Sequence, residues 1–264
     1  MTDSGCAYRN KKSETPFETF LRYTDEKERS ASTLATILEK KLPTAAKILD
    51  IGTGNGEYLR LALSKIDQEI VKEVTLTLVE PSEDLVKQLK NKFLGILSPQ
   101  NLIIEHSSLQ NLANDSKFDI ILMSHLFYHI PRDSRAAELS KAMSMLKSNG
   151  VLIIVLRGKD DAYDFKMAFK PLLLDSPFKA LTLDDVLEAL PQSTNINIEK
   201  YASISQLHIP AETDQEDTIS IIEFYLNKEW ASIPPEIQQK SLDFIKDKKN
   251  TFDQIDGIAV VLKK

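Results

Sequence analysis

The chain has 264 residues, 42% of them hydrophobic and 27% charged, and a formal net charge of −6. This is ordinary globular composition, long enough for a substantial core within one α/β domain. The acidic balance and the lack of a dominating basic run argue against a phosphate-tracking surface, and so against nucleic acid as a partner.

The start, Met1 to Glu14, is polar and lacks the apolar middle of a secretory signal. Residues 1–16 are expected to form a flexible N-terminal segment, one that could order as a lid over a bound ligand. The single cysteine, Cys6, cannot form an internal disulfide, which fits a reducing compartment. No apolar run approaches bilayer-spanning length. A cytoplasmic protein with no membrane partner is expected, as a monomer or weak dimer.

Phe17–Lys41 reads as one helix, on the spacing of Phe17, Phe20, Leu21, Leu34, Ile37 and Leu38, and Pro43 closes it. Lys47–Ile51 is a short strand running into a glycine-rich turn, and a helix follows over Glu57–Lys65. Val74–Val79 is a second strand ending at Glu80-Pro81, and Ser82 is placed to cap a helix reaching Leu94. Leu102–His106 is a third strand. Phe118–Met123 is a fourth, nearly all apolar, as a strand covered on both faces should be. A helix over Arg132–Leu146 stops at Asn149-Gly150, and Val151–Leu156 is a fifth strand. Helices are expected at Asp161–Leu173 and Thr182–Ala189, a strand at Asn195–Ser205, helices at Thr218–Trp230 and Pro235–Lys246, and a last strand at Gly257–Leu262. The alternation predicts an α/β fold, a doubly wound, mostly parallel seven-stranded sheet. Residues 17–264 read as a single domain in which 210–250 are a late helical cap over the sheet edge.

The strongest local signal is Asp50-Ile51-Gly52-Thr53-Gly54-Asn55-Gly56-Glu57. A strand feeding a glycine-rich turn and then a helix brings backbone close to a ligand. Glu80, at the end of the next strand, can accept hydrogen bonds from both hydroxyls of a ribose. A dinucleotide fingerprint would space its glycines as Gly-x-Gly-x-x-Gly. Here the spacing is Gly-x-Gly-x-Gly, the later position is Glu57, and a carboxylate there would repel a pyrophosphate. Three glycines so close are rarely needed for packing alone. A phosphate-free, cationic nucleoside suits Asp50 and the turn better.

On these residues the chain resembles the class I methyltransferases, with their Rossmann-like sheet. Asp50 to Gly56 resembles their first motif, Glu80 the acidic end of their second strand, and Ser107-Ser108-Leu109 their adenine-flanking loop. Phe118-Asp119-Ile120-Ile121 and the stretch from Met145 to Leu152 complete the set. The resemblance implies S-adenosyl-L-methionine as cofactor, held by Asp50, Gly52, Thr53, Gly54, Gly56, Glu80, Pro81, Ser107, Ser108, Leu109 and Ser124. A second resemblance, over nearly the full chain, is to the histamine N-methyltransferase family. It is carried by Phe20-Leu21 with Glu26, Lys40-Lys41-Leu42-Pro43, Val79-Glu80-Pro81-Ser82, the region of Tyr128, Leu152 to Val155, and the order of the late elements. It implies a small amine or imidazole acceptor. Glu26 matches the acidic residue that contacts the acceptor's amine, and Phe17 an aromatic pocket residue. His125 stands where that family has a glutamine, His129 where it has a tyrosine, and Gln254 near its terminal-strand asparagine.

His125 and His129 lie just past the carboxyl end of the fourth strand, where open α/β sheets bind ligands. A neutral histidine there can take a proton from an acceptor, so His125 and Glu26 are the candidate catalytic pair. The four-residue spacing of the histidines could hold a metal on a helix, but no third ligand stands near them in sequence, and no metal is expected. Tyr23, Phe127, Tyr128 and Trp230 could line a cation pocket, with core packing the better reading of Phe127. The expected substrate-binding set is Phe17, Tyr23, Glu26, His125, His129 and Gln254. The expected function is methyl transfer to a small molecule at an amine or imidazole nitrogen. The alternatives are O-methylation of a carboxylate or hydroxyl, and cofactor binding without transfer.

Overall fold

The computed structural model describes residues 14–93, 95–113, 116–174, 178–191 and 196–263. Cys6 and most of the expected N-terminal segment lie outside them. The helices are α1 (Pro16–Tyr23), α2 (Glu26–Lys41), α3 (Glu57–Ser64), α4 (Gln68–Lys72), α5 (Glu83–Lys92), α6 (Arg135–Ser144), α7 (Asp161–Leu173), α8 (Leu183–Leu187), α9 (Gln215–Leu226) and α10 (Pro235–Asp247). The strands are β1 (Lys47–Ile51), β2 (Thr75–Glu80), β3 (Leu102–His106), β4 (Phe118–Ser124), β5 (Leu146–Arg157), β6 (Ile196–His208) and β7 (Thr251–Lys263). They form one seven-stranded sheet in the order β3-β2-β1-β4-β5-β7-β6. Every pairing from β3 through β5 is parallel, and β7 joins β5 antiparallel. The mostly parallel α/β sheet read from the alternation is therefore the architecture found.

Two compact units divide the chain. The larger comprises Glu26–Asp160, Ala180–Ser205 and Gln254–Lys264. Its strands alternate strictly between two apolar layers, because successive strand side chains point to opposite faces. Ile48, Ile120, Leu122, Ile153 and Val260 join Leu34, Leu38, Leu59 and Leu63 of α2 and α3 on one face. Leu49, Ile121, Met123, Ile154 and Val261 join Leu139 of α6 and Val186 of α8 on the other. Helices on both faces explain why β4 and β5 carry unbroken apolar runs.

The smaller unit takes in residues 14–25, Asp161–Lys179 and Gln206–Asp253. It has its own apolar core, in which Phe20, Phe165, Phe169, Ile222, Tyr225, Ile245 and Phe252 are buried together. The late helices α9 and α10 thus share a core with α1 and α7, which sequence spacing did not join to them. Arg22 and Tyr23 of α1 both bond Asp217 of α9, at 3.0 and 2.6 Å.

Of the boundaries that differ from the sequence reading, three shape the site. The helix read over Phe17–Lys41 breaks after Tyr23. There Thr24 bridges Leu207, Asp25 donates its N–H to the Gln206 carbonyl, and its carboxylate accepts from the Gln206 N–H at 2.8 Å. A charged run hid the break, since it fits a helix surface as well as a turn. Strand β5 starts at Leu146, where the polar Lys147–Gly150 stretch had suggested a turn. Strand β7 starts at Thr251 and not at Gly257: Gln254 and Asp256 occupy its buried face, so apolar periodicity could not reveal it. No helix among the described residues is long and apolar enough to cross a membrane.

Candidate functional site

Strand β1 pairs β2 on one side and β4 on the other, so the connection order reverses at the β1/β4 boundary. In open α/β sheets that switch point, at the carboxyl ends of the strands, is where ligands bind. The glycine turn after β1 and the residues after β4 both lie at such ends.

Gly52, Gly54 and Gly56 all have left-handed backbone, with φ of 67°, 59° and 75°. The N–H groups of Gly52 and Thr53 both reach the Val79 carbonyl of β2, at 2.8 and 3.2 Å, which folds the turn back over the sheet end. The glycines then differ in what surrounds them. A Cβ on Gly52 would stand 2.5 Å from Leu126 Cδ1, whereas one on Gly54 would meet nothing within 4 Å. Gly52 is therefore a packing requirement and Gly54 faces open space. The sequence argument that packing alone rarely needs such glycines holds at Gly54 and fails at Gly52.

Two buried carboxylates flank the turn. Glu80 accepts the Gly54 N–H through Oε2 and the Ser82 N–H through Oε1, both at 2.9 Å. A carboxylate has about four acceptor positions, so each oxygen retains one for a ligand hydroxyl. Asp50 accepts the Thr53 hydroxyl at 2.6 Å. Burial pushes its carboxyl up to about 7; the Thr53 bond opposes this and the neighbouring Glu80 charge adds to it. Two acids around an open glycine turn disfavour a pyrophosphate and fit a cationic nucleoside. Glu57, which the sequence reading set against a pyrophosphate, adds little to that argument. It is paired with Arg60 and Lys92 at 2.6 and 2.7 Å. The Arg60 hydrogen bond, opposed by some burial and joined by Lys92, holds its carboxyl down at about 2.

The other residues assigned to the cofactor end lie along the same edge. The Ser107 N–H donates to the Glu80 carbonyl at 3.2 Å. Ser108 precedes a 3-10 turn at Leu109–Asn111, and Leu109 is buried beneath it. Ser124 ends β4, opposite Val155. His106, which sequence reasoning missed, places Nε2 3.0 Å from the Pro81 carbonyl and braces the turn after β2.

Beyond β4 the chain makes a polar cluster. His125 has φ +50°, a left-handed conformation uncommon outside glycine. Its N–H is tied to the Val155 carbonyl at 2.9 Å. The imidazole lies edge-on to Tyr58 and parallel to Tyr128, with ring centroids 6.2 and 6.3 Å away. Its Nε2 is 3.4 Å from Asp256 Oδ2, and about a third of the side chain (31%) stays accessible. Glu26, at the start of α2, pairs with Arg157 at the end of β5; the second guanidinium nitrogen donates to Asp160 at 3.2 Å. Asp160 also accepts the Ile255 N–H at 3.0 Å. Arg157 and Asp256 face each other across the β5–β7 ladder.

Charge decides the behaviour of this cluster. Burial alone would lower the affinity of His125 for a proton, but the carboxylates of Asp256 and Glu26 outweigh it and raise the imidazole above its usual range. Burial raises Glu26, and the nearby Asp256 charge adds to it against the opposing pull of Arg157 and His125. Asp256 ends below the usual carboxylate range, because His125 and Arg157 overcome its burial.

Of the residues read as acceptor-facing, the fold brings Glu26 and His125 into this cluster. His129 is exposed on a 3-10 turn, Phe127–His129, and takes no part in it. Gln254 is buried on β7, two residues before Asp256. Phe17 is 49% exposed, stacks on Phe20 and lies tilted against Phe224. The Tyr23 hydroxyl is committed to Asp217; burial, with Asp217 adding to it, pushes that phenol up to about 12. The sequence argument against a metal concerned His125 paired with His129; the fold groups His125 with two carboxylates instead. Glu26, His125 and Asp256 each offer an atom within 4.8 Å of the others. Arg157 already pairs with both Glu26 and Asp160, and His125 Nε2 lies beside Asp256.

A doubly wound sheet with a glycine turn at its switch point and two buried acids beside that turn is the class I, Rossmann-like nucleoside-binding architecture. The methyltransferase-domain profile matches residues 21–198, and the chain belongs to that family, the S-adenosylmethionine-dependent methyltransferases. The ubiquinone/menaquinone biosynthesis C-methyltransferase UbiE of Rickettsia massiliae is 31% identical over 107 residues, 40% of this chain and 42% of that protein. The UbiE of Rickettsia felis is 28% identical over 124 residues, 47% of this chain and 49% of its own length. The chain thus aligns with less than half of each of these relatives. Among solved structures, a Bacillus halodurans protein assigned as a methyltransferase superposes with a TM-score of 0.55 at 18% identity, covering 88% of this chain and 99% of that one. The cyclopropane synthase MmaA2 of Mycobacterium tuberculosis gives 0.53 at 15% identity, covering 88% and 83%. These similarities show the fold.

Proposed function

We propose that the protein transfers a methyl group from S-adenosylmethionine to a nitrogen of a small amine or imidazole, with His125 as proton acceptor. The observation that carries this reading is a part-accessible histidine at the switch point, backed by a buried carboxylate, one residue before the leucine that packs on Gly52. The resemblance to histamine N-methyltransferases supports it through Glu26, which lies in the same cluster.

The bound cofactor supplies an electrophilic methyl group, so the chain's own residues have three tasks. Glu80 and the turn from Gly52 to Gly56 bind and orient the nucleoside, and Asp50 favours its positive charge. A nitrogen must be neutral to attack, and an adjacent carboxylate would keep it charged. Glu26 therefore suits an amine away from the reacting atom. His125 receives the proton, and each proton it accepts reduces the negative charge of its surroundings. Alignment of nucleophile and methyl supplies most of the remaining rate enhancement.

A second reading, C-methylation of an electron-rich ring, is favoured by the curated relatives, which are named as C-methyltransferases. It would use the same histidine to deprotonate a ring hydroxyl. The test is a transfer assay with methyl-labelled cofactor over amines, imidazoles, phenols and carboxylic acids, with the product located by NMR. Methyl on nitrogen is the expected result. Methyl on carbon or oxygen, or binding of the cofactor without transfer to any class, contradicts it.

A further inference from the structure

We propose that Asp256 is the positioning residue of the acceptor site: its carboxylate holds His125 through Nε2 and leaves Nδ1 as the atom that receives the proton. The inference deepens the transfer reading given above and rests on it for the role of His125. Three observations carry it.

Asp256 is 1% exposed, and neither of its carboxylate oxygens has a donor at full hydrogen-bond geometry among the described residues, although His125 and the Ser30 hydroxyl stand near enough to help hold its carboxyl down. A buried ionised acid left this way is costly and persists where it serves a site. Its charge partner is His125 Nε2, at 3.4 Å, close but not yet aligned for a hydrogen bond. Such contacts are often long in ligand-free proteins and tighten in the productive complex.

The second observation is how firmly the pair is placed. Asp256 is locked in register opposite Arg157. His125 is fixed in a left-handed conformation by its bond to Val155, between the rings of Tyr58 and Tyr128. The Tyr58 hydroxyl is itself paired with Ser30 at 2.9 Å. The β5–β7 ladder and the left-handed turn thus fix the backbone positions from which the two side chains reach each other.

Tautomer logic supplies the third. A histidine that faces a carboxylate through one nitrogen carries its hydrogen there, which makes the other nitrogen the base. No hydrogen bond to His125 Nδ1 is found among the described residues. The charged and titratable groups around the ring are Glu26 from α2, Tyr58 from α3, Tyr128 from the turn after β4, Arg157 from β5, Asp160 just beyond it, and Asp256 from β7. With neutral imidazole, Glu26, Asp160, Asp256 and Arg157 leave two negative charges uncompensated, and a proton on His125 removes one.

The test is an NMR pH titration of the imidazole Cε1–H signals of the whole protein. The chain has four histidines, and His125→Asn identifies the relevant line. Asp256→Asn should lower the His125 midpoint by about one pH unit or more, since a close opposite charge shifts a group by about 1–3 units. Asp256→Glu should restore most of it, and Asp256→Ser provides a smaller neutral variant if the amide perturbs folding. In turnover, the rising limb of the kcat–pH profile should move down with the midpoint, and kcat should fall with little change in KM. A His125 midpoint that does not move in either neutral variant overturns the proposal. So does a His125 line that titrates only after chelation, which would assign the cluster to a bound metal cation. The titration reads the imidazole itself, whatever the acceptor. An enzyme inactive toward nitrogen acceptors with a shifted midpoint would therefore refute the transfer reading and leave the pair intact.

Discussion

The turn after β1 and the cluster after β4 lie at neighbouring strand ends, but they are built in opposite ways. The first is local. Asp50 to Gly56 is one short run, completed by Glu80 at the end of the next strand, and its backbone N–H groups donate to backbone carbonyls and to the Glu80 carboxylate. The second is assembled from Glu26, His125, Arg157, Asp160 and Asp256, contributed by α2, β5, β7 and the segments that follow β4 and β5. A contiguous site can be kept for one constant ligand, while a site of scattered side chains can change one residue at a time. That is the arrangement expected of an enzyme with a fixed cofactor and a variable acceptor.

The comparison can be broken at either end, and the largest effect is expected in the cluster. Arg157→Met would leave Glu26 and Asp160 buried without their cation, a loss of about 3–5 kcal/mol for a broken buried pair. Urea unfolding should show this as a lower midpoint at unchanged slope. An unchanged midpoint would mean that the guanidinium contributes nothing to the fold. Gly52→Ala tests the turn. A left-handed Cβ costs about 1–2 kcal/mol, and its contact with Leu126 adds about 1–3 kcal/mol of overpacking. This variant should also disturb His125 through Leu126, visible in the same NMR line, and stability equal to that of the parent would contradict the packing account.

Asp50 gives a pH signature. Its carboxyl is raised from the ordinary 3.8 to about 7 by burial, so the folded state holds a proton that the unfolded state has released. The contribution is fully present below the unfolded value and is lost as pH rises toward 7, at about 1.4 kcal/mol per pH unit. Asp50→Asn should flatten this slope and stabilise the cofactor-free protein above pH 7 while weakening cofactor binding. A variant no more stable than the parent at that pH would show that Asp50 is not strained by burial. The smallest effect is expected at Gly54→Ala, which meets no neighbour and should cost about 1 kcal/mol of stability from its backbone alone. Its cofactor affinity should fall further than its stability does, and equal cofactor affinity would mean that the open space beside Gly54 is not ligand space.

What sequence could reveal follows from the same contrast. Glycines, a strand-end acid and apolar runs are local, so the turn, Glu80, the parallel sheet and α7 could be read directly. Asp256 could not, because a polar residue on a buried strand face looks like loop until a partner is known. One signal was present: Phe252, Gln254, Asp256, Ile258 and Val260 alternate in β7, and two polar residues inside such a row mark a site. Arg157 was passed over for a similar reason, as the residue closing an apolar strand. Glu26 and His125 are expected from family resemblance and strand-end position, and only the fold brings them into one cluster.

The most direct test of this division is cofactor-product affinity measured by calorimetry on two variants, alongside their turnover. Glu80→Ala should weaken S-adenosylhomocysteine binding about 10- to 100-fold, the loss of hydrogen bonds to a charged group. His125→Asn, chosen because asparagine tolerates the left-handed backbone, should leave that affinity within about threefold and lower turnover by about 100-fold or more. If His125→Asn instead loses the cofactor product as severely as Glu80→Ala, the two strand ends form a single cofactor site, and the cluster is not where the acceptor reacts.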